Sequence, residues 1–258
     1  MIDLHSHILP GFDDGVRTPE EARELARAAF ADGVRAIAAT PHVRDDYPTR
    51  AEEMERGVAL LRADLAEQGI TIDVLPGGEL DLDRLEELDD DELRRFSLAG
   101  SGRYLLVEFP YYGWPRSLEW LPSTLSSLRL VPVLAHPERN ADVQRRPERL
   151  TGWVAEGGLV QVTAASVDGR LGRRARAGAR ALLERGLVHV VASDAHSPDL
   201  RACGLAAAAA AIETDELAQY LTVDAPAAIV AGEPVPPPPR RRRRRGFRQA
   251  EKRKRGTP

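Results

Sequence analysis

The first fifteen residues carry the densest set of chemically useful side chains in the chain. Asp3, His5 and His7 sit two apart, and Asp14 follows in a loop closed by Gly15. On a strand, side chains two apart share a face. His5 and His7 can therefore grip one metal ion, and Asp14 can bring its carboxylate back to the same spot. Taken alone, the stretch fits a buried strand with two hydrogen-bonded histidines equally well, because His has many roles. The other histidines break the tie. Six occur in all, His5, His7, His42, His136, His189 and His196. Five of them fall at the ends of apolar strand-like runs or in the loop just beyond. Glu79, Glu108 and Asp194 occupy equivalent strand-end positions. His189 lies inside the run Val188-His189-Val190-Val191 and reads as structural.

His5, His7, Asp14, His42, Glu79, Glu108, His136, Asp194 and His196 are nine candidate ligands, more than one ion accepts. They point to two or three divalent ions bridged by Glu79 or Glu108. With nitrogen and oxygen donors only, the set suits Mn²⁺, Fe or Zn²⁺. Metals ~3.5–4 Å apart bring a bound water towards neutrality and clamp substrate oxygens. That is the equipment of a hydrolase, especially one acting on phosphate esters. Arg139, three residues after His136, offers a planar fork for a phosphoryl group, though a surface arginine in an arginine-rich chain explains it as readily. Arg44, Arg170 and Arg201 are weaker candidates for the pocket rim. Asp194 and His196 are the candidates for moving protons, a role the sequence does not divide between them.

Other chemistries are excluded by what is missing. Cys203 precedes Gly204-Leu205-Ala206, so no thiolate-and-arginine phosphatase loop exists around it. Both lysines, Lys252 and Lys254, lie in the last seven residues. The barrel residues therefore cannot supply the carbamylated lysine that often bridges metals in amidohydrolase barrels. No GxxxxGK[ST] phosphate loop is present.

The elements that must position these residues alternate from end to end. Ile2–Leu4 opens a strand, and Thr18-Pro19-Glu20-Glu21 reads as a helix start continuing through Ala31. Strands are expected at Val34–Ala39, Ile70–Leu75, Tyr104–Val107, Val131–Ala135, Leu159–Val162 and Leu187–Ala192. Helices are expected at Arg50–Gln68, Asp81–Arg95, Leu118–Arg129, Leu150–Gly157, Arg173–Arg185 and Arg201–Ile212. Strict alternation argues for a parallel sheet. Polar residues immediately after six different strands favour a barrel over an open sheet, which would gather its site at one switch point.

Length and composition agree with a single α/β barrel of residues 1–232 followed by a tail, 233–258. Pro234–Pro239 holds five prolines in six residues, and six arginines run from Arg240 to Arg245. Residues 240–258 hold 11 of the 36 basic residues and one of the 40 acids, so the remainder carries 25 basic and 39 acidic residues, a charge near −14. This reads as a linker and a disordered basic tail. Its use is either solubility or attachment to an anionic membrane surface, worth ~1 kcal/mol per basic residue near that surface. Nucleic acid is a poor partner, since Phe247 is the tail's one aromatic residue. One cysteine and no signal-like N-terminus or apolar span lead to the expectation of a cytoplasmic protein. Nothing in the sequence sets an oligomeric state.

Met1-Ile-Asp-Leu-His-Ser-His-Ile-Leu-Pro-Gly-Phe-Asp-Asp-Gly15, Ala39-Thr-Pro-His42, Gly78-Glu79, Val107-Glu108-Phe109, Ala135-His-Pro-Glu-Arg139 and Leu187-Val-His-Val-Val-Ala-Ser-Asp-Ala-His196 together resemble the PHP-fold tyrosine-protein phosphatases of the CpsB/YwqE/CapC type. The resemblance covers roughly residues 1–231. It implies a distorted (β/α)7 TIM-like barrel, three manganese ions and a phosphotyrosine protein as substrate. The expected partner is a bacterial tyrosine kinase of capsule or exopolysaccharide biosynthesis. By that likeness His5, His7, Glu79 and Asp194 hold one ion, and Glu79, Glu108 and His136 a second. Asp14, His42, Glu108 and His196 hold the third, and Arg139 binds the phosphoryl group. The chain departs from the family where Arg201 is followed by Ala-Cys rather than Pro-Pro, and in its Arg-rich tail. Two other readings stay open: a small-molecule phosphatase of the histidinol-phosphate kind or a phosphodiesterase with the same site, and a catalytically silent scaffold acting through the tail.

Overall fold

A computed structural model describes residues 1–199 and 202–239. Arg201, the arginine run and both lysines lie outside them. In chain order the elements are β1 (Ile2–Asp3), α1 (Pro19–Ala31), β2 (Ala36–Ala38), β3 (His42–Arg44), β4 (Tyr47–Pro48) and α2 (Ala51–Glu67). Next come β5 (Asp73–Leu75), β6 (Glu79–Asp81), α3 (Asp90–Arg95), β7 (Tyr104–Glu108), α4 (Leu121–Ser127) and β8 (Val131–Leu134). The remainder is α5 (Ala141–Arg145), α6 (Leu150–Ala155), β9 (Leu159–Thr163), α7 (Ala164–Asp168), α8 (Arg173–Glu184), β10 (Val190–Ala192), α9 (Leu205–Ala211), α10 (Asp215–Gln219) and α11 (Ala225–Val230).

The local sequence accounts for the helix starts and the buried faces. Thr18 caps α1 by accepting the Glu21 N–H, and Pro19 takes the first helical position. Ala22, Leu25, Ala26 and Ala29 recur at helical spacing and form its buried stripe. Met54, Val58, Leu61 and Leu65 do the same on α2.

Apolar strands buried on both sides form a parallel sheet. β1 pairs with β2 and β2 with β5, while the order β10-β9-β8-β7-β6-β3 is parallel throughout. β2 runs into β3, and β5 into β6, across the kinks at Thr40-Pro41 and Pro76-Gly77-Gly78. The parallel bridge between Ser6 and Ala195 joins the first segment to the last, with Asp194 N–H donating to His5 O and His7 N–H to Ala195 O, both at 2.8 Å. The outcome is the α/β architecture with a parallel sheet expected from the sequence, its first and last segments brought together at this bridge. Leu4, Ala38, Leu106, Val133, Val190 and Ala192 cluster in its interior, closed below by Ile229 of α11. Their neighbours Ile37, Leu105, Val107, Leu134 and Val191 pack in the outer cluster with the helices.

Several expected elements change shape. The run Asp81–Arg95 splits into a 3₁₀ turn, Leu82–Glu86, and α3, because Asp89 caps a fresh start by accepting the Asp91 and Glu92 N–H groups. Leu118–Arg129 splits likewise at Trp120. α9 is shorter than the alanine run implied. α10 and α11, not anticipated, close the barrel floor. The proline-rich stretch begins on the barrel itself: Arg103 donates to Gly232 O at 2.9 Å, Tyr104 to Glu233 O, and Tyr220 to Pro236 O at 2.8 Å.

Candidate metal centre

All nine candidate ligands converge at the C-terminal end of the strands. β1 gives way to His5 and His7, β7 ends at Glu108, β8 is followed by His136 and β10 by Asp194 and His196, while His42 and Glu79 open β3 and β6 just beyond β2 and β5. Glu79, at the start of β6, is the hub. Its Oε2 lies 3.3 Å from His5 Nε2, 3.3 Å from His7 Nε2 and 3.0 Å from His42 Nδ1, and its Oε1 is 2.8 Å from His136 Nε2. Asp194 Oδ1 is 3.5 Å from His5 Nε2 and 3.4 Å from His7 Nε2. Asp14 Oδ1 lies between His42 Nε2 at 3.4 Å and His196 Nε2 at 3.3 Å. Glu108 Oε2 is 3.4 Å from His42 Nδ1. The donors fall into overlapping groups: His5, His7 and Asp194; His5, Glu79 and His136; His42, Glu79 and Glu108; and His7, Asp14, His42 and His196. The last places His7, rather than Glu108, with the Asp14 group.

The site fits divalent ions on its own chemistry. His42 Nδ1 and Glu79 Oε2 are buried and make no hydrogen bond of good geometry, a costly state for atoms without a cation between them. Burial disfavours charge on Glu79, yet the His5 imidazole and the neighbouring His136 and His42 imidazoles hold its carboxyl well below the usual range. Burial is likewise outweighed at Asp194 by His5 and His7. Asp14 and Glu79 overcome burial to push His42 up to about 9. Glu108 is pushed up to about 7 by burial and by the neighbouring Glu79 charge.

Two supporting residues were not anticipated. Asp13 Oδ2 accepts from His7 Nδ1 at 2.7 Å and from the His42 N–H at 2.9 Å, while Oδ1 accepts the Gly15 N–H at 2.9 Å. Gln161 Oε1 pairs with His5 Nδ1 at 3.1 Å and accepts the His136 N–H at 3.2 Å. A glutamine in the otherwise apolar run Leu159-Val-Gln-Val-Thr163 was the available signal; Asp13 was masked by Asp14 beside it. Asp3 is not part of the cluster; it is buried and accepts the Ser193 N–H at 2.9 Å. His189 is structural, as expected, its Nδ1 accepting the Val160 N–H at 3.2 Å.

Arg139 lies at the rim, its Nη1 2.6 Å from Asp194 Oδ2 and its guanidinium 4.8 Å from the Tyr111 ring centre. Arg44 reaches Glu108 at 3.5 Å. Arg170 is occupied elsewhere, with Asp168 at 2.8 Å and the Ala202 carbonyl at 3.2 Å. His136 and Asp194 both adopt left-handed backbone, φ 38° and 52°, strain of the kind that functional sites store.

Comparison with known proteins agrees with this geometry. Residues 1–231 match the family model "Capsular polysaccharide synthesis, CpsB/CapC". The chain is 37% identical over 203 residues to the tyrosine-protein phosphatase YwqE of Bacillus subtilis, covering 78% of this chain and 79% of that protein. It is 32% identical over 209 residues to the tyrosine-protein phosphatase CpsB of Streptococcus pneumoniae, covering 78% and 85%. A solved structure from work on YwqE and CpsB, described as unique metal-dependent tyrosine phosphatases, superposes with a TM-score of 0.85 at 33% identity, over 94% of this chain and 100% of that one. The chain belongs to the CpsB/CapC family.

Proposed function

We propose that the chain is a metal-dependent tyrosine-protein phosphatase. The observation that carries this reading is the convergence of nine imidazoles and carboxylates on Glu79, with the Arg139 guanidinium at their edge. All nine serve as ligands in this reading; their nitrogen and oxygen donors suit Mn²⁺, Fe or Zn²⁺, and the family resemblance favours Mn²⁺. When bound, such ions supply Lewis acidity toward a phosphate ester and a nucleophile at neutral pH. The remaining work falls to the chain. Asp13 and Gln161 fix which nitrogens of His7 and His5 face the centre. Arg139 binds phosphoryl oxygens through its fork and offsets the charge that grows on them. His196 and Asp194, with Nδ1 and Oδ1 3.5 Å apart, are placed to hold or pass a proton at the mouth.

The substrate in this reading is a phosphotyrosine on a partner protein, which we take to be a tyrosine kinase of capsule or exopolysaccharide synthesis; the family's description names capsular polysaccharide synthesis. No helix among the described residues is long and apolar enough to cross a membrane. We place the protein in the cytoplasm, drawn to the anionic inner membrane face by residues 240–258. Removal of those residues should abolish salt-sensitive binding to phosphatidylserine vesicles; retained binding would refute the tail's role.

The main test offers a phosphotyrosine peptide, histidinol phosphate and a nucleotide diester to the Mn²⁺-loaded protein. The peptide should be turned over fastest. A preference for either alternative reassigns the substrate, and inactivity on all three with metal bound overturns the enzyme. Arg139→Ala should lower kcat/KM about 10- to 100-fold, the loss of a charged hydrogen bond, at unchanged metal content.

A further inference from the structure

The site holds a second arginine in a position that mirrors Arg139. Arg44 ends β3, two residues beyond His42. Its Nη1 is 3.5 Å from Glu108 Oε2, and its Nε is 2.7 Å from Asp46 Oδ1. Its guanidinium carbon lies 5.1 Å from the centre of the Tyr47 ring. Tyr47 in turn stacks on His42, with ring centres 5.9 Å apart and planes at 17°. On the other side, Arg139 lies over Tyr111, and the Tyr111 ring centre is 6.0 Å from that of His136. Each arginine thus rests on a tyrosine, each tyrosine leans on a histidine of the cluster, and each guanidinium reaches one of its carboxylates. His42 and His136 contact different oxygens of Glu79, at 3.0 Å and 2.8 Å. The two Arg–Tyr pairs therefore flank that carboxylate.

We propose that Arg44 is a second phosphoryl-binding residue, gripping the substrate's phosphate from the side opposite Arg139, with Tyr47 as its positioning residue. The proposal rests on the phosphatase reading for its substrate but not for its binding chemistry. A phosphomonoester dianion presents three non-bridging oxygens, more than one guanidinium fork can satisfy. Arg44 and Arg139 rest on Glu108 and Asp194, carboxylates that bound cations would neutralise, leaving both guanidiniums able to turn to an incoming anion. Ring stacking keeps Arg44 extended toward the cluster and limits the rotamer entropy lost on binding. The competing role is a tie that holds the β3–β4 hairpin. Asp46 is 64% exposed, and so open a pair contributes little to stability.

The test measures inorganic phosphate binding to the Mn²⁺-loaded full chain by calorimetry, alongside KM for a phosphotyrosine peptide. Arg44→Ala should weaken phosphate binding about 10- to 100-fold, as expected for a lost charged hydrogen bond, and should raise KM in step at unchanged metal content. Arg44→Lys should recover part of the affinity. Tyr47→Leu should weaken phosphate binding by a smaller factor, most of which Tyr47→Phe, with the ring kept, should recover. Phosphate affinity unchanged in Arg44→Ala, or reduced only in proportion to lost metal, overturns the proposal. A wild-type chain that binds phosphate through Arg44 yet hydrolyses no monoester supports the site and sinks the phosphatase reading alone.

Discussion

Asp13 shows how one carboxylate can set a site without entering it. It bonds His7 at Nδ1, so Nε2 is the nitrogen left facing Glu79 and Asp194. It also accepts the His42 N–H, which couples the first loop to β3. Burial opposes its charge, but the adjacent His7 imidazole lowers its pKa below the usual carboxylate value. Asp13→Asn keeps the shape and removes the charge that makes His7 a stronger donor to a cation. Mn²⁺ affinity should fall about 10- to 100-fold, the usual penalty for removing such a partner. Metal titration read calorimetrically gives the number, and circular dichroism checks the fold. Equal affinity in the two chains would mean that packing alone orients His7. The candidate ligands were legible in the sequence because histidines and acids are conspicuous after apolar runs. Their supports were not, because a hydrogen bond such as Gln161 to His5 spans 156 residues.

At the level of elements, the strand ends were readable and the breaks were not. Val34–Ala39 looked like one strand ending before His42. The chain instead kinks at Thr40-Pro41 and resumes as β3, because the Thr40 N–H is taken by Ser6 O at 2.9 Å and Pro41 has none to give. That resumption pairs His42 with Glu79 in register. The turn after β8 is braced from outside: Glu138 is fully buried and accepts from Ser166 Oγ at 2.7 Å and the Thr163 N–H at 3.0 Å. Against its backbone packs α8, at Gly178, where an added Cβ would lie 2.7 Å from Glu138 O. Gly178→Ala should push α8 off the Pro137–Arg139 turn. Overpacking costs about 1–3 kcal/mol against about 1 kcal/mol gained in helix propensity. A melting temperature lower by a few degrees, with a raised KM through a displaced Arg139, is the expected result. A variant as stable as wild type would show the helix contact to be loose.

Among the described residues, the buried imidazoles of His5, His7, His42, His136 and His196 gather at the mouth, while that of His189 lies inside the wall. His189 precedes β10 and accepts the Val160 N–H through Nδ1, while burial pushes its pKa down to about 4. Its unfolded value is near 6.5. Between those values the unfolded chain binds a proton that the native chain refuses, so native stability falls as pH drops from about 6.5 towards 4. That gap amounts to about 3 kcal/mol, a large share of the stability of an ordinary domain. His189→Asn can keep the acceptor for the Val160 N–H and removes the titration. Groups of the candidate metal centre titrate as well, so the informative quantity is the difference between the two chains measured without metal. Urea unfolding at pH 7 and at pH 4 should show the variant losing about 3 kcal/mol less than wild type. Identical losses would mean that His189 is protonated in the native barrel and that its bond to Val160 is not what fixes β9 against β10.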